Sequence, residues 1–159
     1  MSQDKKNLRE IYKNTRLSVD VGSVDEKNLE ICRKVFRAID WGKVNRVCSY
    51  TAIQKLNEVD VAPLHDTVRY KFPEIKIKLL KPDKNQALPK MRFDVIIVPC
   101  LAFDKDNSRL GWGGGFYDKF LAGQPQALKV GVAYQSGFVE SGLPHESHDI
   151  ALDKIITER

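Results

Sequence analysis

Val95-Ile96-Ile97-Val98-Pro99 precedes a glycine-rich stretch, Arg109-Leu110-Gly111-Trp112-Gly113-Gly114-Gly115-Phe116-Tyr117-Asp118. These two segments are the most informative part of the sequence about the fold. The first segment is a continuous apolar run, which predicts a buried strand. After the glycines, Phe116 and Phe120 recur at helical spacing. The order is therefore strand, long loop, glycines and helix N-terminus, which is typical of a strand-to-helix crossing in an α/β protein.

The glycine cluster itself allows two interpretations. Four of the ten glycines in the chain lie between Gly111 and Gly115. Because glycine loses the most backbone entropy on folding, such a cluster is expected where the backbone needs a positive φ or must approach another group closely. A tight turn meets that description. So does a loop whose N–H groups bind phosphate at a helix N-terminus. The stretch matches neither GxxxxGK[ST] nor a complete GxGxxG, and spacing alone favours anion binding only slightly.

The two charged residues that flank the glycines favour anion binding. Arg109 supplies a planar, forked cation that suits phosphate oxygens. Asp118 supplies a hard oxygen ligand in the first helical turn. A carboxylate beside phosphates is repelled unless a cation bridges the two, and Mg²⁺ is the usual bridge. The combination predicts a nucleotide site.

The same stretch resembles the signature of the 5-formyltetrahydrofolate cyclo-ligases, also called methenyltetrahydrofolate synthetases. The similarity is strongest from the apolar strand to the C-terminus and weak in the middle of the chain. Its residues are Val98-Pro99, Ala102-Phe103-Asp104, the glycine motif, Leu143-Pro144, Glu146, His148-Asp149, Leu152-Asp153 and Ile156-Thr157-Glu158, with fainter similarity at Lys5, Leu8-Arg9, Tyr50 and Glu58-Val59-Asp60.

The resemblance implies an enzyme that uses ATP and Mg²⁺ to cyclise 5-formyltetrahydrofolate to 5,10-methenyltetrahydrofolate, releasing ADP and phosphate. It implies Asp118 and Asp149 as Mg²⁺ ligands and Arg109 as the catalytic residue. It further implies ATP binding by Lys5, Arg9, Arg109, Leu110, Gly111, Trp112, Gly113, Gly114, Gly115, Phe116 and Tyr117. Substrate binding would fall to Ile53, Glu58, Trp112, Gly113, Gly114, Gly115 and Phe116, with the Glu58 carboxylate accepting hydrogen bonds from the pterin edge.

The chain departs from the family pattern at two places. Trp112 stands where relatives commonly carry tyrosine or a basic residue, although a flat indole still suits stacking on the folate. The polar connection from Lys81 to Lys90 lacks a segment that many relatives have. If that segment covers the folate, the folate pocket of this protein is more open.

The length predicts one domain over residues 1–159. The alternation of strand and helix patterns predicts an α/β fold with a mostly parallel sheet covered by helices on both faces. No apolar run is long enough to span a bilayer and no signal peptide is recognisable, so we expect a cytoplasmic protein with three reduced, mostly buried cysteines. The net charge of +5 suits either nucleic acid or a polyanionic small molecule. The basic residues are dispersed, and we expect a monomer that binds small molecules and neither nucleic acid nor membrane.

Periodicity predicts the remaining elements. Helices are expected from Asp4 to Leu17, from Asp25 to Ile39 behind a Ser23–Glu26 capping box, and from Asp60 to Tyr70. Strands are expected at Val44–Cys48, Ile75–Leu79, Lys129–Tyr134 and Lys154–Thr157. His65 is interpreted as a surface or partly buried residue with no role. His145 and His148 have no nearby cysteine and no helix, which disfavours zinc.

Two rival functions remain at this stage. A non-catalytic relative would bind folate or nucleotide without turnover, but Asp118 and Asp149 argue against it. A basic RNA-binding module would require binding that weakens steeply with salt.

Overall fold

The computed structural model describes residues 3–81 and 87–159. Its helices are α1 (Gln3–Leu17), α2 (Val21–Ala38), α3 (Ala62–Lys71) and α4 (Phe116–Ala122). Its strands are β1 (Arg46–Tyr50), β2 (Lys76–Leu80), β3 (Val95–Pro99), β4 (Ala102–Phe103), β5 (Arg109–Leu110), β6 (Leu128–Val132) and β7 (Lys154–Ile156). One-turn 3-10 helices lie at Trp41–Lys43, Gln54–Leu56 and Gln135–Gly137.

Five strands form the main sheet in the order β2-β1-β3-β6-β7, and every neighbouring pair is parallel. The strands β4 and β5 form a separate antiparallel hairpin between β3 and α4. From β1 the chain adds β2 on one side, then crosses to build β3, β6 and β7 on the other. Strand order therefore reverses between β1 and β3. In open α/β sheets, ligands bind beyond the carboxyl ends of the strands at such a switch point.

The sheet is buried on both faces, as the alternation of side chains along β3 shows. Val95 and Ile97 belong to one core cluster, whereas Ile96 and Val98 belong to another. The helices α2 and α3 close the first cluster, and α4 closes the second. The predicted three-layer α/β/α arrangement is confirmed.

The start of α2 differs from the prediction. The helix begins at Val21, so Ser23 lies within its first turn instead of capping it. The Ser23 hydroxyl donates to the carbonyl oxygen of Asp20 at 3.1 Å, and Asp20, the residue at the N-cap position, makes no side-chain capping bond. The capping-box prediction is therefore wrong. The other predicted elements exist, β3 with the predicted ends and the rest with shifted ends, and the β4–β5 hairpin is an element that was not predicted.

His65 is also placed differently from the prediction. It lies in α3 and is 5% exposed. Its Nε2 lies 2.7 Å from the hydroxyl oxygen of Ser49 on β1. Burial, with a contribution from Arg69, lowers the pKa of His65 to about 4. The side chain is a neutral link between helix and sheet.

Several other predictions concern the whole chain. The three cysteines are free and buried, and burial raises the pKa of Cys48 to about 12. None of the helices in the described ranges has the length and apolar character needed to cross a membrane. The shortened connection from Lys81 to Lys90 falls partly on residues 82–86, outside the described residues, so the more open pocket stays a prediction.

Candidate functional site

The glycine loop lies at the switch point of the sheet, where the hairpin after β3 leads into α4. Leu101 N–H donates to the carbonyl oxygen of Leu110 at 3.1 Å, which anchors the hairpin beside the end of β3. Two of the four glycines adopt positive φ: Gly113 at 99° and Gly115 at 67°. Gly114 has no such constraint, and a Cβ there would meet no atom within 4 Å. The centre of the loop is thus open on its outer side.

Arg109 is fixed beneath this loop. Its side chain is buried, with its Nη2 donating to Asp118 Oδ1 at 3.3 Å and its Cζ lying 5.3 Å from the centre of the Tyr117 ring. Arg109 Nε is buried and has no hydrogen-bond partner among the described residues. Asp118 Oδ1 also accepts from Ile150 N–H at 3.1 Å. The predicted catalytic cation and one predicted Mg²⁺ ligand are therefore paired with each other.

The first turns of α1 reach the C-terminal loop. Lys5, 7% exposed, donates from Nζ to Asp149 Oδ2 at 2.5 Å and to Glu146 Oε2 at 3.2 Å. Burial alone would lower the pKa of Lys5, but the hydrogen bonds and charges of both carboxylates outweigh it, so the pKa is raised. Burial likewise opposes ionisation of Asp149, yet Lys5 and the Glu146 amide bring its pKa below the usual value. All three groups are charged at neutral pH.

The potential metal ligands form a compact group in this loop. Glu146, His148 and Asp149 offer ligand atoms within 4.8 Å of one another, the one such group that the described part of the chain contains. Asp118 stands beside it through its bond to the Ile150 amide. The histidine side chain is mostly exposed and lies 3.3 Å from the Glu146 carboxylate.

One turn after Lys5, Arg9 contacts the glycine loop directly. Its Nε donates to the carbonyl oxygen of Gly111 at 2.7 Å. A Cβ added at Gly113 would lie 3.1 Å from Arg9 Cζ. Lys5 and Arg9, predicted from the resemblance, are thus brought to the same region as Arg109.

The predicted folate-binding carboxylate lies across the loop from these cations. Glu58 is 6% exposed and uses both oxygens: Oε2 accepts from Ile53 N–H at 2.8 Å, and Oε1 accepts from Trp112 Nε1–H at 3.3 Å. The Tyr50 hydroxyl, at the end of β1, donates to the carbonyl oxygen of Val59 at 2.5 Å and holds the chain next to Glu58. Ile53 and Trp112 are themselves partly exposed. The bond from Trp112 joins the glycine loop to the turn that carries Glu58.

Three further predicted residues differ in what they can offer a ligand. Leu110 is buried against Ala102 and Val139, so only its backbone can contribute. Phe116 packs partly on the second core cluster. Tyr117 is buried, its hydroxyl has no partner in the described ranges, and burial raises its pKa.

Arg16 is a buried cation of this region that the sequence analysis missed. It is 5% exposed, its Cζ lies 5.0 Å from the centre of the Trp112 ring, and its Nε donates to the carbonyl oxygen of Leu56 at 2.9 Å. A signal was available, because residues 5, 9 and 16 fall on one face at 100° per residue. Glu146 was named with the residues of the family resemblance but was given no role, because its bond to Lys5 joins residues far apart in the chain.

Comparison with known proteins agrees with this geometry. The sequence model of the 5-formyltetrahydrofolate cyclo-ligase family matches residues 52–158. The 5-formyltetrahydrofolate cyclo-ligase of Escherichia coli K12 is 42% identical over 85 residues, which cover 52% of this chain and 46% of that protein. The mouse protein of the same name is 28% identical over 92% of this chain and 75% of its own length. The match thus spans about half the length of the first bacterial relative.

Solved structures share the fold along nearly the whole chain. A 5,10-methenyltetrahydrofolate synthetase from Mycoplasma pneumoniae superposes with a TM-score of 0.81 at 23% identity, covering 99% of this chain and 100% of that one. The synthetase from Aquifex aeolicus gives 0.79 at 26% identity, covering 98% and 90%. With a family match over residues 52–158, the chain belongs to the 5-formyltetrahydrofolate cyclo-ligase family.

Proposed function

We propose that this protein converts 5-formyltetrahydrofolate to 5,10-methenyltetrahydrofolate at the expense of ATP, with ADP and phosphate as the other products. The observation that carries the proposal is the 3.3 Å hydrogen bond from Trp112 to Glu58. It makes the glycine loop and the buried carboxylate one continuous surface at the switch point of the sheet. A phosphate donor and a folate bound there would meet.

Glu58 is suited to hold the pterin. A carboxylate can accept about four hydrogen bonds. Glu58 accepts one from each of two protein N–H groups, so lone pairs remain for donors from a ligand. Burial makes a hydrogen bond to this charge stronger than it would be in water. The partly exposed side chains of Ile53 and Trp112 would contact the flat faces of the pterin.

The triphosphate charge would be neutralised by Arg109, Arg9 and Lys5. The backbone N–H groups from Gly111 to Gly115 would donate hydrogen bonds to its oxygens. In the proposed reaction the formyl oxygen attacks the γ-phosphorus, and the bond from that phosphorus to ADP breaks. N10 then attacks the formyl carbon, and phosphate leaves with the former formyl oxygen. Phosphoryl transfer of this kind depends on positioning and charge neutralisation. Arg109 is buried and rigidly held, as such a role requires.

Asp118 and Asp149 would hold Mg²⁺. The C-terminal loop already accommodates a positive charge, because the Lys5 ammonium sits between the carboxylates of Asp149 and Glu146. A hard cation with carboxylate and phosphate oxygens fits this donor set. When bound between these carboxylates and the nucleotide, the metal would offset the charge of the phosphates.

One assay tests the proposal. Purified protein is incubated with 5-formyltetrahydrofolate, Mg²⁺ and ATP while the absorbance of the methenyl product is followed. We expect product only when all three are present, with one ADP formed for each methenyl product. Folded protein that forms no product under any condition, or that forms it without ATP, would overturn the proposal.

A further inference from the structure

We infer that Arg16 is a positioning residue that holds Trp112 and Glu58 together as one folate-binding unit. The inference rests on the proposed function and extends it to a residue outside the stretch that matches the family. It gives α1 two tasks. The early turns would serve the nucleotide through Lys5 and Arg9, and the last turn would serve the folate.

Arg16 makes two hydrogen bonds to the turn that precedes Glu58. Its Nε holds the carbonyl oxygen of Leu56, in the 3-10 turn that follows Ile53. Its own carbonyl oxygen accepts from the Asn57 side-chain amide at 2.9 Å. Asn57 has a φ of 51°, in the left-handed region, and it immediately precedes Glu58. Arg16 therefore grips both sides of the turn that presents the carboxylate.

The guanidinium also covers one face of Trp112. A cation at 5.0 Å from the ring centre lies within the range of a cation–π contact. With that face covered, the indole N–H is directed to Glu58 and the rest of the partly exposed ring stays available for a ligand. A single side chain thus orients both the stacking surface and, through the turn, its hydrogen-bond acceptor.

The chemistry of Arg16 indicates more than space filling. Its Nη2 is buried with no hydrogen-bond partner in the described residues, and an unsatisfied buried donor destabilises the folded state. Burial lowers the pKa of Arg16, while the nearby Glu58 charge raises it. An apolar residue of similar length would fill the volume without either penalty. Unlike such a residue, the Arg16 cation balances the charge of the buried Glu58 carboxylate and orients the Trp112 indole.

The test compares Arg16→Met and Arg16→Lys with Lys6→Met. Lys6 lies on α1 and is exposed, so Lys6→Met removes the same charge without touching the site. For Arg16→Met we expect the KM for 5-formyltetrahydrofolate to rise about tenfold, at about 1.4 kcal/mol per factor of ten. The KM of Arg16→Met for ATP should stay within about twofold of the wild-type value. In the unliganded variant, the Trp112 indole N–H resonance should shift as its bond to Glu58 loosens.

Arg16→Lys keeps the charge but lacks the planar fork, so it should show a smaller rise in the same KM. It also carries the test should Arg16→Met fail to fold. An unchanged folate KM in the folded Arg16 variants would overturn the inference, and so would equal rises in the KM for folate and ATP. Wild-type protein that forms no methenyl product would overturn the proposed function and this inference with it. Normal wild-type turnover beside an unaffected Arg16 variant would overturn the inference alone.

Discussion

The two halves of the site satisfy their charges in different ways. On the phosphate side, the protein pairs its cations with its own carboxylates: Lys5 with Asp149 and Glu146, and Arg109 with Asp118. On the proposed folate side, the Glu58 carboxylate accepts hydrogen bonds from the Ile53 backbone N–H and from the Trp112 indole N–H. Arg16 and Tyr50 hold the turn around Glu58 by donating to the carbonyl oxygens of Leu56 and Val59. Binding of the proposed polyanion and metal would therefore require the phosphate half to exchange partners, whereas the hydrogen bonds of the proposed folate half are already formed.

This difference separates the expected effects of mutation. Changes on the phosphate side should alter the rate and metal dependence, because the groups there act on charge that moves during the reaction. Changes on the folate side should alter substrate binding or stability, because its groups are already arranged. Variants in each half can therefore test whether the phosphate side governs the rate and the folate side governs substrate binding and stability.

The largest effect is expected for Arg109→Met. The variant removes the buried cation nearest the glycine loop, and loss of one preorganised donor to a transition state costs roughly a hundredfold to a thousandfold in kcat. Steady-state kinetics and a thermal scan would measure it. Arg92→Met is the matched control, since Arg92 is exposed just before β3, at the opposite end of the strand from the site. A decrease in kcat smaller than about tenfold, with folded protein, would contradict the assignment of Arg109.

His65 gives a prediction for the folate side, because its partner Ser49 directly precedes Tyr50 in β1. The folded pKa of about 4 lies below the ordinary 6.5, so the unfolded chain binds more protons between these values. Stability should be complete above pH 6.5, fall as pH is lowered toward 4, and then level off. The shift corresponds to about 3 kcal/mol.

Urea unfolding at several pH values would measure this dependence. His65→Gln keeps a hydrogen-bonding group near Ser49 without a titrating ring, so its stability should change less in that window. Parallel curves for the two proteins would show that His65 is not the cause. The lowered pKa of Asp149 acts at more acidic pH: its contribution is present above its ordinary 3.8 and is lost as pH falls through the lower folded value.

Asp118→Asn and Asp149→Asn should reduce the rate roughly ten- to a hundredfold, about 1.4 kcal/mol for each factor of ten. Each variant removes one charge from the proposed Mg²⁺ ligands while keeping the side-chain shape. Activity should recover in part at raised Mg²⁺, which a metal titration would detect. Asp153→Asn is a control, because Asp153 Oδ2 accepts from the Lys129 amide at the sheet and has no place in the proposed site. Unchanged activity for both variants would mean that the metal binds elsewhere.

The smallest effect is expected for Gly114→Ala. No atom lies within 4 Å of the added Cβ and the φ of Gly114 is not positive, so the melting temperature should barely move. If the loop backbone approaches phosphates, affinity for a non-hydrolysable ATP analogue should drop about tenfold, near 1.4 kcal/mol.

Gly113→Ala is the contrasting variant. Gly113 has a φ of 99° and its Cβ would meet Arg9, so this substitution should lower the melting temperature. Calorimetric titration and a thermal scan measure both variants. Undiminished nucleotide binding by Gly114→Ala would show that the glycine loop is a structural turn that does not contact the phosphates.

The sequence predicted what depends on local pattern and missed what depends on distant partners. The apolar run Val95–Pro99 became β3 with the predicted ends, because a buried parallel strand needs no alternation. The capping-box prediction at Ser23 was wrong although a serine followed three residues later by glutamate has the pattern of a capping box. The helix begins earlier, at Val21 after Asp20, so Ser23 lies in its first turn. The β4–β5 hairpin has strands of two residues, too short to leave a periodic signal.

The site shows the same division. The glycines, Arg109 and Asp118 are close in sequence, so their combination was readable. The burial of His65 depends on Ser49, and that of Arg16 on Leu56 and Trp112, which lie far away in the chain. The pairing of Lys5 with Asp149 likewise joins residues near opposite ends of the chain. A resemblance could suggest that both belong to the site, but not that each would neutralise the other.

The central claim is that phosphate and folate meet in one site, so that phosphate passes to the formyl oxygen. The most direct test uses 5-formyltetrahydrofolate labelled with ¹⁸O in the formyl group, together with ATP and Mg²⁺, and mass analysis of the phosphate released. We predict that the phosphate carries the label, because the formyl oxygen bonds to phosphorus and leaves with it when N10 closes the ring. Unlabelled phosphate accompanying methenyl product would contradict it.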